Sequence, residues 1–454
     1  MQEALYYSIV TFSSIYFFRR AGLNKLSILV FIIFWEGLFN YLGNLVPGLW
    51  EFFKIFFFLY VFYYMLNHLK SKYLVSERNF NLLYLLFALS FFTTHLLNSG
   101  NVLTILSQFL FKYSAFFIFL FIIKALFQHE NKMTYVLNLL ISAVFIQIIL
   151  SVIKVILYGL KSESIVGSVQ YIGGGAAVVL TFVFLIFFSI IQIEKRFKLK
   201  KYIYLLPIII SIASLKRAPV FLYPVFYFFL VIFPYKKLSL NNIVKYVPIV
   251  LLLFYLGVRT NATLNPENSN WGSFDLKYVT DYMVEYNFGT SKVSEINQTD
   301  NTSGRGGSLL LLFQPGKLGL QGAKEILFGR GIVDYALSPE GRFVGGKAYG
   351  IEHHGLLSSA VVVFYSLGLS GFFLMILMSL YIIFLVRTKR LLWIILILYI
   401  FELFLYGNQL FINHASGFII IFCIYYSNYF KERDQVLPPV KCINHEGQGK
   451  IVVC

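Results

Sequence analysis

The chain has 454 residues, of which 58% are hydrophobic and only 13% charged, and its mean hydropathy is +0.73. Such a composition excludes a soluble globular protein, and repeated apolar runs near the roughly twenty residues that cross a bilayer predict a polytopic membrane protein. The net charge of +17 does not imply nucleic-acid binding, because Lys and Arg gather in short loops, where they resist translocation.

From the N-terminus, the run Ala4 to Phe18 is apolar but short, and reads either as an interfacial helix or as an additional span. Glu3 stands where a cleavable signal would carry basic residues, so insertion is assigned to the spans themselves. Apolar runs then predict twelve helices, at 26–46, 50–69, 80–98, 104–127, 134–159, 173–193, 202–215, 218–234, 246–258, 356–386, 391–406 and 409–428. The expected fold class is an all-α polytopic integral membrane protein of about twelve transmembrane helices, or thirteen if the N-terminal segment crosses, with one large extracytoplasmic loop domain. This divides the chain into membrane helices over 1–258, a loop domain over 259–355, further membrane helices over 356–428 and a cytoplasmic tail over 429–454.

Orientation follows from the basic clusters at Arg19-Arg20-Lys25, Lys70-Lys72-Arg78, Lys195 to Lys201, Lys236-Lys237 and Arg387 to Arg390, which fall on one side when the spans alternate. The segment 259–355 then lies outside, and with nine Lys or Arg against ten Asp or Glu it leaves about +18 on the rest of the chain. Within it, Ser308 to Phe313 and Ala323 to Phe328 read as short helices separated by Gly-rich turns. Three cysteines form no disulfide framework or metal spacing.

A few charged residues fall outside this pattern. Lys216-Arg217 interrupts an apolar run at the outer end of two tightly linked helices, with Pro219 opening the second. The pair is either an interfacial turn that snorkels into headgroups or a fixed cation facing a lipid-linked phosphate, for which the planar fork of Arg is suited. Arg305, in SGRGGSLL, precedes a predicted helix, where Gly304, Gly306 and Gly307 would let backbone N–H groups approach an anion. Lys112 and Lys154 lie in apolar runs toward the outer face and either snorkel or contact substrate, while Glu36 and Glu402 are functional candidates or buried structural carboxylates. In a chain with seven histidines, His353 and His354 stand together beside Glu352 where the polar segment meets the next span.

The order of these features resembles the bacterial O-antigen polymerase (Wzy-type) and O-antigen ligase superfamily. The features are an S-x-x-R turn over Ser214 to Arg217, a large late outer loop with Arg305, the element LFGRG from Leu327 to Gly331, the His353-His354 step and a GLSG at Gly368 to Gly371. His354 or Gly355 stands where that family has Asn, and GLSG lies a few residues further along. The resemblance implies a GT-C-like fold and metal-independent, cofactor-free, inverting transfer of glycan from undecaprenyl pyrophosphate at the outer face of the bacterial cytoplasmic membrane. It implies Arg217 and Arg305 stabilising the departing pyrophosphate, with His353, His354 or Glu352 taking the acceptor proton. Lys216, Arg330, Lys112 and Lys154 would contact substrate. Implied partners are the lipid-linked donor and acceptor, membrane lipid and a chain-length regulator. A polymerase, a ligase delivering glycan to a lipid A core, and a flippase for the lipid-linked sugar all remain open.

Overall fold

The computed structural model describes residues 2–68, 78–98, 109–110, 115–159, 166–170, 174–193, 201–213, 217–232, 240–269, 271–288, 306–331, 358–405 and 413–436. Secondary structure among the described residues is entirely helical. Four helices are long and apolar enough to cross a membrane, Leu49–Asn67, Arg78–Leu97, Glu130–Tyr158 and Ser359–Phe384, and a bent pair over Lys25–Phe34 and Glu36–Leu45 makes a fifth. Shorter apolar helical stretches, of 10 to 17 residues, lie at Phe117–Leu126, Ala177–Ile191, Ala218–Leu230, Val247–Thr260 and Leu391–Phe404.

The N-terminal layer is built from α1 (Gln2–Ala21), α2 (Lys25–Phe34), α3 (Glu36–Leu45) and α4 (Leu49–His68). It continues with α5 (Arg78–Leu97), α6 (Ala115–Leu126), α7 (Glu130–Tyr158) and α8 (Gly174–Ile193). Helix α1 lies antiparallel along α7. At one end the rings of Tyr6 and Tyr158 meet at 6.2 Å, and at the other Tyr135 donates its hydroxyl proton to the Ala21 carbonyl. The segment from Ala4 to Phe18 is thus part of a 20-residue helix packed along one of the long apolar helices.

The run 26–46 departs from the expected single span. It is broken at Trp35, where α2 and α3 meet at a bend of 66°. The cause is a second piece of backbone inserted at that depth. Residues 166–170, expected in an outer loop, are buried there except for half-buried Gln170, and the Ser168 carbonyl accepts the Gly37 N–H at 2.8 Å. A Cβ on Gly37 would sit 2.7 Å from the backbone of Gln170, so only glycine admits the approach. Gln147 on α7 closes the arrangement, accepting the Ser168 N–H at 2.6 Å and donating to its hydroxyl at 3.0 Å. Non-helical backbone at membrane depth is tolerated when buried partners satisfy it in this way.

The C-terminal half contains α9 (Leu206–Ala213), α10 (Ala218–Tyr227), α11 (Leu240–Thr260), α12 (Leu276–Phe288), α13 (Ala323–Phe328), α14 (Ser359–Phe384), α15 (Lys389–Ile400) and α16 (His414–Val436). The predicted spans 202–215, 218–234 and 391–406 are composite, with α9 preceded by a 3-10 turn and α10 and α15 ending in π turns at Phe228–Ile232 and Phe401–Leu405. Helix α16 runs past residue 428 to Val436. The two short helices expected in the outer segment are present, as a 3-10 helix over Gly307–Phe313 and as α13.

Replacing Gln147 by Leu removes the acceptor of the buried Ser168 N–H, which should cost about 1–3 kcal/mol. The expected outcome is a lower melting temperature for the Gln147→Leu protein in detergent; an unchanged melting curve would show that the inserted segment does not depend on this contact.

Candidate functional site

Arg217 immediately precedes α10 and is half-buried. Its Nε donates to the Thr263 hydroxyl at 2.7 Å, and its guanidinium lies 4.6 Å over the Tyr282 ring of α12. Thr263 in turn donates to Asn261 Oδ1 at 2.7 Å. The plane of the guanidinium is therefore fixed by two parts of the chain that follow α11.

Those parts are folded against the helix ends. Arg259, in the last turn of α11, donates to the Gly272 carbonyl at 2.8 Å and stacks 4.5 Å over Trp271. Asn265 is fully buried, donating to the Asn261 and Ser269 carbonyls and accepting the Ser269 N–H. Val258, Leu264 and Val279 form a small apolar core beneath, packed against Val220 and Phe221 of α10.

Residues from 307–320 dock on α14. Leu311, Leu318 and Leu320 pack with Val361, Phe364 and Tyr365, and the Ser358 N–H donates to the Ser308 hydroxyl at 3.1 Å. The LFGRG element seats its backbone on a kink in α14. Gly368 has φ +65°, a left-handed conformation that breaks the helix, and Gly329 opposite it has φ +69°. A straight helix would give the Tyr365 and Ser366 carbonyls to N–H groups four residues on. Here they accept from Arg330 and Gly331 instead, each at 2.9 Å. A Cβ on Gly368 would lie 2.4 Å from the Leu327 carbonyl, and one on Gly329 2.6 Å from the Leu367 and Gly368 nitrogens. The LFGRG and GLSG elements are two halves of one contact.

Helix α5 ends against the same element. Asn98 donates to the Gly329 carbonyl at 3.1 Å, and Lys324 on α13 reaches the Leu97 carbonyl at 2.9 Å. His95, 4% exposed, has Nδ1 2.7 Å from the Phe91 carbonyl and its ring edge beside Gly331. Sequence reasoning did not single out His95. The available signal was an imidazole in the last turn of an otherwise apolar span.

Of the sequence-predicted residues, Arg217, Arg330 and Lys154 are described; Lys112, Lys216, Arg305, Glu352, His353 and His354 lie outside the described residues. Arg330 is engaged within its own segment. Its Nη2 bonds the Gly319 carbonyl at 2.5 Å and pairs with Glu325 at 3.2 Å, tying α13 to the preceding turn. The Gln321 N–H bond, with the Arg330 charge beside it, holds the Glu325 carboxyl below its ordinary range. Lys154 does not snorkel to the headgroups. It is 6% exposed, with Nζ 4.8 Å over the Tyr6 ring and 3.4 Å from the Gly167 carbonyl. Glu402 is buried in the π turn after α15, and Glu36 pairs with His414.

Among the described residues no three His, Cys, Asp or Glu side chains converge as a metal site requires. No protein-family model, curated protein or solved structure matches the chain.

Gly368→Ala adds a methyl group into the Leu327 carbonyl and imposes φ > 0 on a side-chain-bearing residue, a strain of about 1–3 kcal/mol. Limited proteolysis should then cut 306–331 faster than in the parent. Gly316→Ala, where an added Cβ meets nothing within 4 Å, should leave the cleavage rate unchanged.

Proposed function

We propose that the chain is a membrane-embedded polysaccharide polymerase, transferring a growing glycan from undecaprenyl pyrophosphate to the next lipid-linked repeat unit at the outer face of a bacterial cytoplasmic membrane. The observation that carries the reading is Arg217, a guanidinium immobilised by Thr263 and Tyr282 at the rim where α10 meets the outer segment. A cation fixed before the reaction stabilises developing phosphate charge without reorganising. In the transfer, an acceptor hydroxyl oxygen bonds to the anomeric carbon as the carbon–oxygen bond to pyrophosphate breaks on the opposite side. The hydroxyl proton passes to a base and the electron pair leaves with the pyrophosphate. Arg217 and Arg305 are assigned to the leaving group, and His353, His354 or Glu352 to the proton.

The bond between Ser308 and Ser358 supports this grouping. It joins the chain just after Arg305 to the chain just after His353-His354, and the 3-10 helix that contains Ser308 packs against α12, which carries Tyr282. The ligase reading shares the same donor chemistry. A flippase is favoured by a different observation, the broken α2–α3 span with its buried ion pair, since discontinuous helices and intramembrane charges characterise transporters.

Arg217→Ala should abolish the long-chain ladder on a glycan gel, with turnover down about 10²–10³-fold, the cost of one transition-state donor. Arg217→Lys should fail as well, because one ammonium cannot keep the Thr263 bond and present a fork. A normal ladder from Arg217→Ala would reject the assignment. A defective polymerase leaves single repeat units exported and attached, whereas a defective flippase leaves none outside.

A further inference from the structure

The break in α2–α3 contains a charge pair with no part in the chemistry above. Glu36 opens α3, and its Oε2 lies 2.7 Å from Nδ1 of His414, the first residue of α16. Both are buried, Glu36 at 9% and His414 at 2% exposure.

Two rulers place the pair inside the hydrocarbon. Helix α2 starts at Lys25, whose ammonium bonds the Tyr63 hydroxyl at 3.0 Å at the cytoplasmic end of α4, and its ten residues rise about 15 Å. Counted along α16, Ser427 touches Thr388 at the basic turn before α15, and His414 stands about 20 Å away from it. With a hydrocarbon core of about 30 Å, both measures end near or just beyond the midplane.

Among the described residues, the rings nearest the imidazole are apolar. Phe57 from α4 and Phe119 from α6 face the imidazole at 4.5 and 6.3 Å. The one charged residue of α6, Lys124, is more than a turn further on, and α8 has no titratable residue. From α1, Tyr7 stacks on Tyr41 of α3. Lys154 of α7 is held at the Gly167 carbonyl, and Glu402 sits on a turn that packs chiefly against α14 and α15. Among the described residues, the Asn413 Nδ2 and Ser416 Oγ beside the imidazole are buried without a hydrogen-bond partner, leaving the start of α16 with unspent donors.

We propose that Glu36 and His414 form a proton-binding site within the membrane, whose occupancy holds or loosens the break between α2 and α3. With a single ionisable proton between them the carboxylate and imidazole are neutral as a pair, and the Nδ1–Oε2 bond fastens α3 to α16. Removing that proton leaves a net negative charge, and adding another leaves a net positive one. A net charge in hydrocarbon is costly, so either change favours a state in which the break opens to a polar environment. The backbone is suited to such motion, because the Gly37 N–H is already held by Ser168 rather than by its own helix.

Trp35 reports on this site directly. It is fully buried at the bend, its ring 5.1 Å from Phe17 and 5.3 Å from Phe31. In full-length protein with the other three tryptophans changed to Phe and reconstituted in lipid nanodiscs, Trp35 emission should shift to the red in a reversible transition between about pH 5 and about pH 9. Glu36→Gln combined with His414→Gln, an uncharged pair of amides, should remove the transition. A flat Trp35 signal across that range in the otherwise unaltered chain overturns the proposal, and this arm needs no change at the pair. A transition that persists in the double variant overturns it equally. Neither outcome bears on Arg217, whose variants are read on a glycan gel.

Discussion

A backbone group that leaves its helix inside a bilayer has no water to turn to, and this fold is organised around two places where that happens. At Trp35 the freed Gly37 N–H is taken by Ser168, and at Gly368 the freed Tyr365 and Ser366 carbonyls are taken by Arg330 and Gly331. Each break is stabilised by a segment from elsewhere in the chain, residues 166–170 in one case and 327–331 in the other. The second break ties residues 327–331 to α14. The first places a carboxylate against an imidazole.

The two breaks are fastened by different groups. At Gly368 two glycine backbones are in contact and neither position tolerates a methyl group, so the geometry is fixed by steric exclusion. At Trp35 the Gly37 backbone is also too close to Gln170 to admit a methyl group, and a hydrogen-bonded amide and the Glu36–His414 contact add to the fastening. One half of the molecule thus carries a glycine-on-glycine seat for LFGRG, and the other a junction held by buried polar side chains as well.

Much of the helical plan was legible because hydropathy reports transfer into lipid, and α5, α7, α8 and α14 begin and end close to where the apolar runs do. The short outer helices were legible too, from apolar clusters between Gly-rich turns. Hydropathy is blind to what lies beside a helix, however. The run through Trp35 reads as one span because its interruption is caused by Ser168, more than a hundred residues away. Lys154 reads as a snorkelling lysine for the same reason, since the Tyr6 ring that covers it belongs to α1. LFGRG and GLSG were visible as motifs but not as one contact, and Glu36 and His414, 378 positions apart, gave no sign of their pairing. For Arg217 the turn was legible, while the Thr263 and Tyr282 partners that fix its guanidinium come from a polar segment without strong periodicity.

The pairing of α1 with α7 constrains how the chain is made. Helix α1 carries Glu3 at its start and Arg19-Arg20 at its end and is not among the helices that qualify on their own as spans, yet it packs along α7 from Tyr135 to Tyr158. More than a hundred residues of chain therefore separate α1 from the stretch of α7, Tyr135 to Tyr158, that it meets. Until α7 has been synthesised α1 lacks that partner, so its final packing waits on helices made after it.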